Sequence, residues 1–177
     1  MKATGIVRRI DDLGRVVIPK EIRRTMRIRE GDPLEIYTES DGSVVFRKYS
    51  QMGELSRVSS EYAEAINRSS GIPIAICDRD NIIAVAGVSR KEYLEKPISS
   101  GLSGVLTSRK SYSSGDRGNS VTVTEGGGEV SYLSPIVSDG SVIGAVMSIK
   151  QNGKAPDGSE KQLIDTGAYF MSSQTEI

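Results

Sequence analysis

The basic side chains of this chain are concentrated at its N-terminus, in a pattern suited to an anionic partner. The first 29 residues hold nine basic side chains against three acidic ones, a net charge of +6, whereas the whole chain of 177 residues carries no net charge. Seven of the nine are arginines, whose planar guanidinium pairs with phosphates and guanine edges better than an ammonium does. We therefore expect this segment to bind something negatively charged. The nine residues are Lys2, Arg8, Arg9, Arg15, Lys20, Arg23, Arg24, Arg27 and Arg29.

Catalytic and metal chemistry has few candidates in this composition. The sequence has no histidine and a single cysteine, Cys77, which removes histidine general bases, Ser-His and Cys-His nucleophiles and CxxC metal or redox motifs. Tryptophan is absent and phenylalanine occurs twice, which disfavours binding of single strands on stacked aromatics. We expect no enzyme, no metal and no cofactor, and we expect Cys77 to be a small buried hydrophobe.

The sequence also carries signals of its compartment. No apolar run approaches the roughly 20 residues that span a bilayer, and the first residues lack a hydrophobic signal segment. One cysteine cannot form an internal disulfide. These features predict a cytoplasmic protein.

Residues 1–50 are predicted to form one small β-rich domain. Asp11 to Gly14 is a turn sequence, Pro19 suits the first turn of a helix, and Asp41-Gly42 is typical of a hairpin turn. The predicted elements are strands over 4–10 and 15–18, a helix over 20–27, and hairpin strands over 34–39 and 43–48. A lone domain of this size, without disulfides or metal, is marginally stable. We expect two copies to pool their hairpins into one core.

Residues 51–72 are predicted to be a helical connector. Apolar side chains recur at spacings of three and four along it, at Leu55, Val58, Tyr62, Ala65 and Ile66. This stripe could pack on the following domain or on the same helix of another subunit. The pattern slightly favours packing between subunits.

Residues 73–177 are predicted to form a second domain of mixed strands and helices. It holds 12 basic and 15 acidic residues over 51–177, so the positive charge belongs to the first domain. The last helix is expected to begin at Ser159, with Gln162 completing a capping box. The other predicted elements are a hairpin of strands 73–77 and 81–86, a helix over 99–110, and strands over 120–124, 130–137 and 142–149.

Two glycine-rich stretches of this domain invite functional interpretations. Gly126 to Gly128 lacks the lysine and the following helix of a phosphate-binding loop, so a flexible loop between strands is the better interpretation. The Ser/Gly stretch over 111–119 is equally compatible with a mobile lid over a pocket and with an ordinary loop.

The motif from Leu13 to Pro19, followed by Glu21-Ile22-Arg23-Arg24, resembles the DNA-binding half of the AbrB-like transition-state regulators of spore-forming bacteria. The resemblance covers residues 1–50, and the strand-rich remainder resembles a domain of the GAF class. It implies an α+β protein: an N-terminal swapped-hairpin β-barrel formed by a dimer, a helical connector, and a GAF-like domain whose central antiparallel sheet is flanked by helices. It also implies a homotetramer.

The same resemblance implies a function and a set of DNA-binding residues. The expected function is a sequence-preferring regulator of late sporulation genes in the forespore, acting as activator and repressor on double-stranded DNA. Readout of DNA shape is one way in which such a protein selects its sites. The DNA-contacting arginines of the family match Arg8, Arg15, Arg23 and Arg24, and Lys2 and Arg9 lie at further basic positions.

Three further functions are open from sequence. A GAF-like domain often binds a small effector, although no polar cluster here names one, and many such domains serve assembly alone. Antitoxins also use swapped-hairpin domains, but their usual disordered tail does not fit a C-terminal region patterned for a folded core. An enzyme carried by the C-terminal domain is the third alternative.

Overall fold

The computed structural model describes residues 4–115 and 120–175, and it divides the chain into two compact units. Unit 1 is Met1–Tyr49 and unit 2 is Ser50–Ile177. The helical stretch predicted as a connector lies within unit 2. Each unit has its own secondary structure, and each is described by itself.

Unit 1 consists of an N-terminal turn, one short helix and one hairpin. Helix α1 is Lys20–Thr25, and strands β1 (Leu34–Thr38) and β2 (Val44–Lys48) pair antiparallel. The turn forms as predicted: the Gly14 amide donates to the carbonyl of Asp11 at 3.0 Å, and Gly14 adopts a φ of 76°, which glycine tolerates without strain.

The two strands expected over 4–10 and 15–18 are absent from the described residues of unit 1. Beyond the turn, these segments have no ladder of backbone hydrogen bonds, and β1 and β2 pair only with each other. A strand requires a partner strand for its amides and carbonyls. The expectation of strands there is therefore wrong for a single chain.

The hairpin of unit 1 has an uncovered apolar face. Ile36 lies directly across from Phe46, and Thr38 across from Val44, so these side chains share one face of the ribbon. Ile36 is 62% exposed and Phe46 43% exposed. The opposite face pairs Glu35 with Arg47, a polar combination. Unit 1 thus leaves on its surface the side chains that ordinarily form a core.

Unit 2 is a five-stranded antiparallel sheet with helices on both faces. The strand order is β4-β3-β7-β6-β5. Along the chain its elements are α2 (Gln51–Glu54), α3 (Ser56–Ser70), β3 (Ile74–Asp78), β4 (Ile82–Ala86), α4 (Arg90–Tyr93), α5 (Ser100–Ser108), β5 (Tyr112–Ser113), β6 (Val130–Ser138), β7 (Ser141–Ile149) and α6 (Gly158–Ser173).

The sheet separates two hydrophobic cores. Alternate residues of a strand point to opposite faces, and accordingly Ala75 and Cys77 of β3 belong to one core, whereas Ile74 and Ile76 belong to the other. The first core includes Leu102 of α5. The second is closed by the apolar sides of α2, α3 and α6. Unit 2 therefore buries its own apolar surface within one chain.

The apolar stripe of the predicted connector packs on the sheet of its own chain. Leu55, which precedes α3, lies against the second core together with Val58, Tyr62 and Ile66 of the helix. Ala65, the fifth residue of the predicted stripe, is exposed. The sequence left open packing on the following domain or on another subunit and slightly favoured the second. The structure shows the first. The stripe required an apolar partner, and β3 and β4 supply one nearby.

Other predictions for unit 2 differ in detail. No strand forms over 120–124, where a single bridge joins Thr122 to Glu129. The cap of helix α6 lies two residues before the expected one, because Asp157 rather than Ser159 accepts a hydrogen bond from the amide of the third residue on, Glu160, at 2.8 Å. Of the stretch 111–119, residues 116–119 lie outside the described residues. Cys77 is fully buried, as predicted.

Candidate nucleic-acid interface

The basic residues singled out from sequence lie on exposed positions of unit 1. Arg8 and Arg9 are exposed in the extended segment before the turn, and Arg23 and Arg24 are exposed on α1. Lys2 lies outside the described residues. Among the residues that the structure describes, these four arginines form no ion pair. Their guanidinium groups are consequently open to an anion from solvent.

Helix α1 presents its two arginines for reasons that are local to the sequence. Pro19 is buried and precedes the first helical residue, where its lack of an amide hydrogen costs no hydrogen bond. Ile22 is half-buried, whereas Arg23 and Arg24 follow it in the last turn. Cationic side chains near the C-terminus of a helix also interact favourably with its dipole. Ile22 is thus the partly covered residue of the helix, and both arginines are exposed to solvent.

Arg15 differs from the other arginines in having an acidic partner. Its Nε donates to Oδ2 of Asp11 at 2.8 Å, and its backbone amide donates to Oδ1 of the same carboxylate at 2.7 Å. The backbone bond and then the side-chain bond from Arg15 lower the pKa of the Asp11 carboxyl below its ordinary value. The Arg15 side chain remains 70% exposed. From sequence, Asp11 was interpreted only as a turn residue; its spacing of four from Arg15 was the available signal.

Two basic residues of the hairpin have structural contacts. The Lys48 ammonium donates to the Arg27 carbonyl at 2.9 Å and lies 3.5 Å from a carboxylate oxygen of Asp32, whose side chain is nearly inaccessible. Arg47 lies over the ring of Tyr37, 4.8 Å from its centroid. Lys48 therefore ties the end of β2 to the segment that follows α1, which is a role in folding.

Unit 2 contains a separate groove of about 500 Å³ beside helix α3. Arg57 and Arg90 line it together with Asp78 and Glu95, so its lining carries charges of both signs. Ser50, the first residue of the unit, donates to Oδ2 of Asp78 at 3.1 Å. The start of unit 2 is thus hydrogen-bonded to a residue of the groove wall.

Metal sites and membrane-spanning helices are both absent from residues 4–115 and 120–175. No group of three or more histidine, cysteine, aspartate or glutamate side chains in this part of the chain is placed to hold a metal ion. Within the same residues, no helix combines the length and the apolar character needed to cross a membrane.

Comparison with known proteins relates both units to bacterial regulators. A family described as stage V sporulation protein T C-terminal, transcription factor, matches residues 54–176. A family described as antidote-toxin recognition MazE, bacterial antitoxin, matches residues 7–53.

Individual relatives extend these matches. Stage V sporulation protein T of Bacillus subtilis is 50% identical over 179 aligned residues, which cover 99% of each chain. The transition state regulatory protein AbrB of the same organism is 59% identical over 49 residues, which cover 28% of this chain and 50% of AbrB. The solution structure of the N-terminal DNA recognition domain of B. subtilis AbrB is 58% identical, covers 28% of this chain and 92% of that one, and has a TM-score of 0.25.

Proposed function

The chain belongs to the stage V sporulation protein T family of transcription factors, and we propose that it binds duplex DNA through the arginines of paired copies of unit 1. As a member of this family it is a sporulation transcription regulator with an AbrB-type N-terminal unit. We further propose that the protein acts in the forespore, where it activates some late sporulation genes and represses others.

The observation that carries DNA binding is the set of exposed arginines on unit 1. Arg8, Arg23 and Arg24 have no acidic partner among the described residues, and Arg9 is equally exposed. Guanidinium groups neutralise phosphates and release condensed counterions, which makes affinity strongly dependent on salt. Some of them also fit guanine edges in the major groove. Lys2, Arg8, Arg9, Arg15, Arg23 and Arg24 are the proposed DNA-binding residues.

The uncovered face of the β1–β2 hairpin supports a dimer of unit 1. Burial of Ile36, Val44 and Phe46 against a second copy removes apolar surface from water. Each Å² of apolar surface buried in this way stabilises the dimer by about 25 cal/mol. The unpaired segments over 4–10 and 15–18 gain strand partners in the same step. This is the swapped-hairpin barrel expected from the family resemblance, with a tetramer completed through unit 2.

The groove of unit 2 is the candidate site for a small effector. Arg90 suits a carboxylate, and Arg57 suits one in exchange for its exposed ion pair with Glu61 at 2.7 Å. Asp78 and Glu95 suit an ammonium group, so a small zwitterion matches the charges of the walls. The sheet with helices on both faces is the architecture of the GAF class, whose members often bind small molecules. Because Asp78 also accepts the Ser50 hydroxyl, a ligand in the groove has a route to the start of the unit.

Two rival functions have less support. The antitoxin family matches only 7–53, and the remainder of the chain matches a transcription factor family and folds around two hydrophobic cores rather than as an extended tail. An enzyme in unit 2 has no nucleophile candidate at Cys77, because that thiol is fully buried and burial raises its pKa.

Binding of duplex DNA by the full chain tests the proposal. Repeated selection from a random-sequence duplex pool is expected to enrich one class of sequence, and the affinity for it is expected to fall steeply with salt. If the full chain binds no duplex from the pool even at low salt, the proposal of DNA binding is contradicted.

The effector assignment has an independent test. Amino acids and small carboxylic acids are screened for a rise in the melting temperature, and a compound that raises it is then added to the DNA titration. A regulatory ligand changes DNA affinity by its coupling free energy. A stabilising compound that leaves DNA affinity unchanged would contradict regulation.

A further inference from the structure

The carboxylate of Asp11 accepts three hydrogen bonds, from the Arg15 side chain and from the backbone amides of Leu13 and Arg15. Oδ2 accepts the Arg15 Nε at 2.8 Å. Oδ1 accepts the backbone amides of Arg15 at 2.7 Å and of Leu13 at 3.1 Å. The Asp11 amide in turn donates to the Arg15 carbonyl at 3.1 Å. One side chain therefore forms the turn and holds the guanidinium.

The two oxygens of this carboxylate have separable roles. The side-chain oxygen of an asparagine would accept hydrogen bonds from the amides of Leu13 and Arg15 equally well, because aspartate and asparagine both form such turns. Only a carboxylate supplies a second acceptor for Nε, because the amide of asparagine places an NH₂ group there. The bond between Oδ2 and Nε is therefore the feature that requires aspartate.

A negative charge at this position works against the general attraction of the surface for DNA. Nonspecific affinity comes from basic groups near phosphates, and each nearby carboxylate reduces it. Asp11 is consequently an electrostatic cost to the proposed function, unless it improves what Arg15 does.

The bond to Nε leaves the other edge of the guanidinium available. The two Nη nitrogens form the fork that pairs with O6 and N7 of guanine or with a phosphate. A free arginine side chain loses conformational entropy when it is fixed by a binding partner. A guanidinium already held at Nε loses less of it on binding, which is the usual gain from preorganisation.

We propose that Asp11 is a positioning residue for DNA recognition, which holds the Arg15 guanidinium so that its Nη nitrogens face the duplex in advance. The inference rests on the proposed function of unit 1. The hydrogen bonds from Arg15 also lower the pKa of the Asp11 carboxyl below its ordinary value, which favours the ionised form that accepts them.

The test compares Asp11→Asn with Asp12→Asn in the full chain. Asp12 is the adjacent carboxylate, is exposed, and makes no hydrogen bond or ion pair with the described residues. Both variants remove one negative charge from the same turn. The probes are a duplex selected by the wild-type chain from a random-sequence pool and a scrambled duplex of the same composition.

Opposite changes are expected for the two variants. Asp12→Asn binds both duplexes as tightly as wild type or slightly more tightly. Asp11→Asn binds the selected duplex about tenfold more weakly, which is the order of discrimination that one well-placed arginine provides, while it binds the scrambled duplex no less tightly. Asp11→Asn that matches Asp12→Asn on the selected duplex would overturn the proposal.

A double-mutant cycle distinguishes positioning from a general effect on folding. If Asp11 acts through Arg15, Asp11→Asn causes no further loss in an Arg15→Ala background, measured at low salt where binding is tightest. A loss that persists in that background, including one caused by unfolding of unit 1, overturns the positioning role. Wild-type protein that selects no duplex contradicts the proposed function itself, which is a different result from either outcome.

Discussion

The Tyr62 ring lies against the backbone of Gly167, so that helices α3 and α6 meet where one of them has no side chain. A Cβ added to Gly167 would be 2.5 Å from Cε1 of Tyr62. The ring is held in place by its hydroxyl, which donates to the Leu163 carbonyl at 2.8 Å, and by stacking on Phe170 at a centroid distance of 5.9 Å.

Gly167→Ala is therefore expected to destabilise unit 2 by about 1–3 kcal/mol, the usual cost of overpacking. Gly104 of α5 is the matched control, because a Cβ added there meets no atom within 4 Å. Gly104→Ala should leave stability unchanged or raise it through helix propensity. Denaturant unfolding of both variants measures the difference, and equal stabilities would show that Tyr62 moves aside freely.

The proposed DNA-binding arginines make a prediction about salt. Replacing Arg15, Arg23 and Arg24 by alanine should abolish selective binding without lowering the unfolding temperature, because the three side chains are exposed. Each variant that loses a phosphate contact should reduce the slope of log affinity against log salt by about 1.

Arg68→Ala is the control for these variants. Arg68 is an arginine of unit 2 that is 82% exposed and pairs only loosely with Glu64, at 3.7 Å. The Arg68→Ala variant should bind DNA with the affinity of the wild-type protein. A folded triple variant with wild-type affinity would exclude the three arginines from the interface.

The uncovered hairpin predicts that unit 1 folds only as a dimer. A fragment of residues 1–53 should have the mass of a dimer in solution, and its melting temperature should rise with concentration because association is part of folding. Phe46→Asp places a charge on the face that meets the second copy, and the fragment should then lose its fold. A stable folded monomer of the wild-type fragment would contradict the shared core, and the full chain is expected to have the mass of a tetramer.

Burial of Cys77 predicts a dependence of stability on alkaline pH. Burial raises the pKa of this thiol in the folded state, so the unfolded chain loses the proton first as pH rises through the ordinary thiol pKa of about 8.5. The stability due to the thiol is full below that pH and is lost above it. Between pH 8 and 10, ionisation of this thiol in the unfolded chain should lower the free energy of unfolding by about 2 kcal/mol.

The matched variant for this prediction is Cys77→Ala, which has no thiol to ionise. The difference between the unfolding free energies of wild type and variant should shrink by that amount over the same pH range. In native protein at pH 8, the thiol should also resist labelling by a thiol reagent until the chain unfolds. Rapid labelling without unfolding would show that the β3 strand opens readily.

Local patterns in the sequence predicted much of this fold. The turn at Asp11–Gly14 and the hairpin around Asp41-Gly42 were predictable because each depends on a few adjacent residues. The strands over 74–78, 82–86 and 141–149 of unit 2 were predictable from apolar runs between turns. The chain divides after Tyr49, where the predicted domain ended at residue 50.

The failures share a physical cause, which is that periodicity reveals an apolar face but not what covers it. The sequence allowed the stripe of α3 to pack on the following domain or on another subunit and slightly favoured the latter, whereas its partner is the sheet of the same chain. The segments over 4–10 and 15–18 have strand composition and no strand partner. At the site, the sequence marked the arginines by their charge but could not show that Asp11, interpreted as a turn residue, is bonded to Arg15.

The exposed hairpin face of unit 1 has a consequence for how the protein is made. Synthesis delivers unit 1 first, and a single copy of it leaves Ile36 and Phe46 in water. Unit 2 follows and folds around its own two cores. If unit 2 then associates, the meeting of two hairpins becomes an event within one particle, at an effective concentration in the millimolar range for short tethers. The C-terminal half would in that way act as an assembly chaperone for the half that meets DNA.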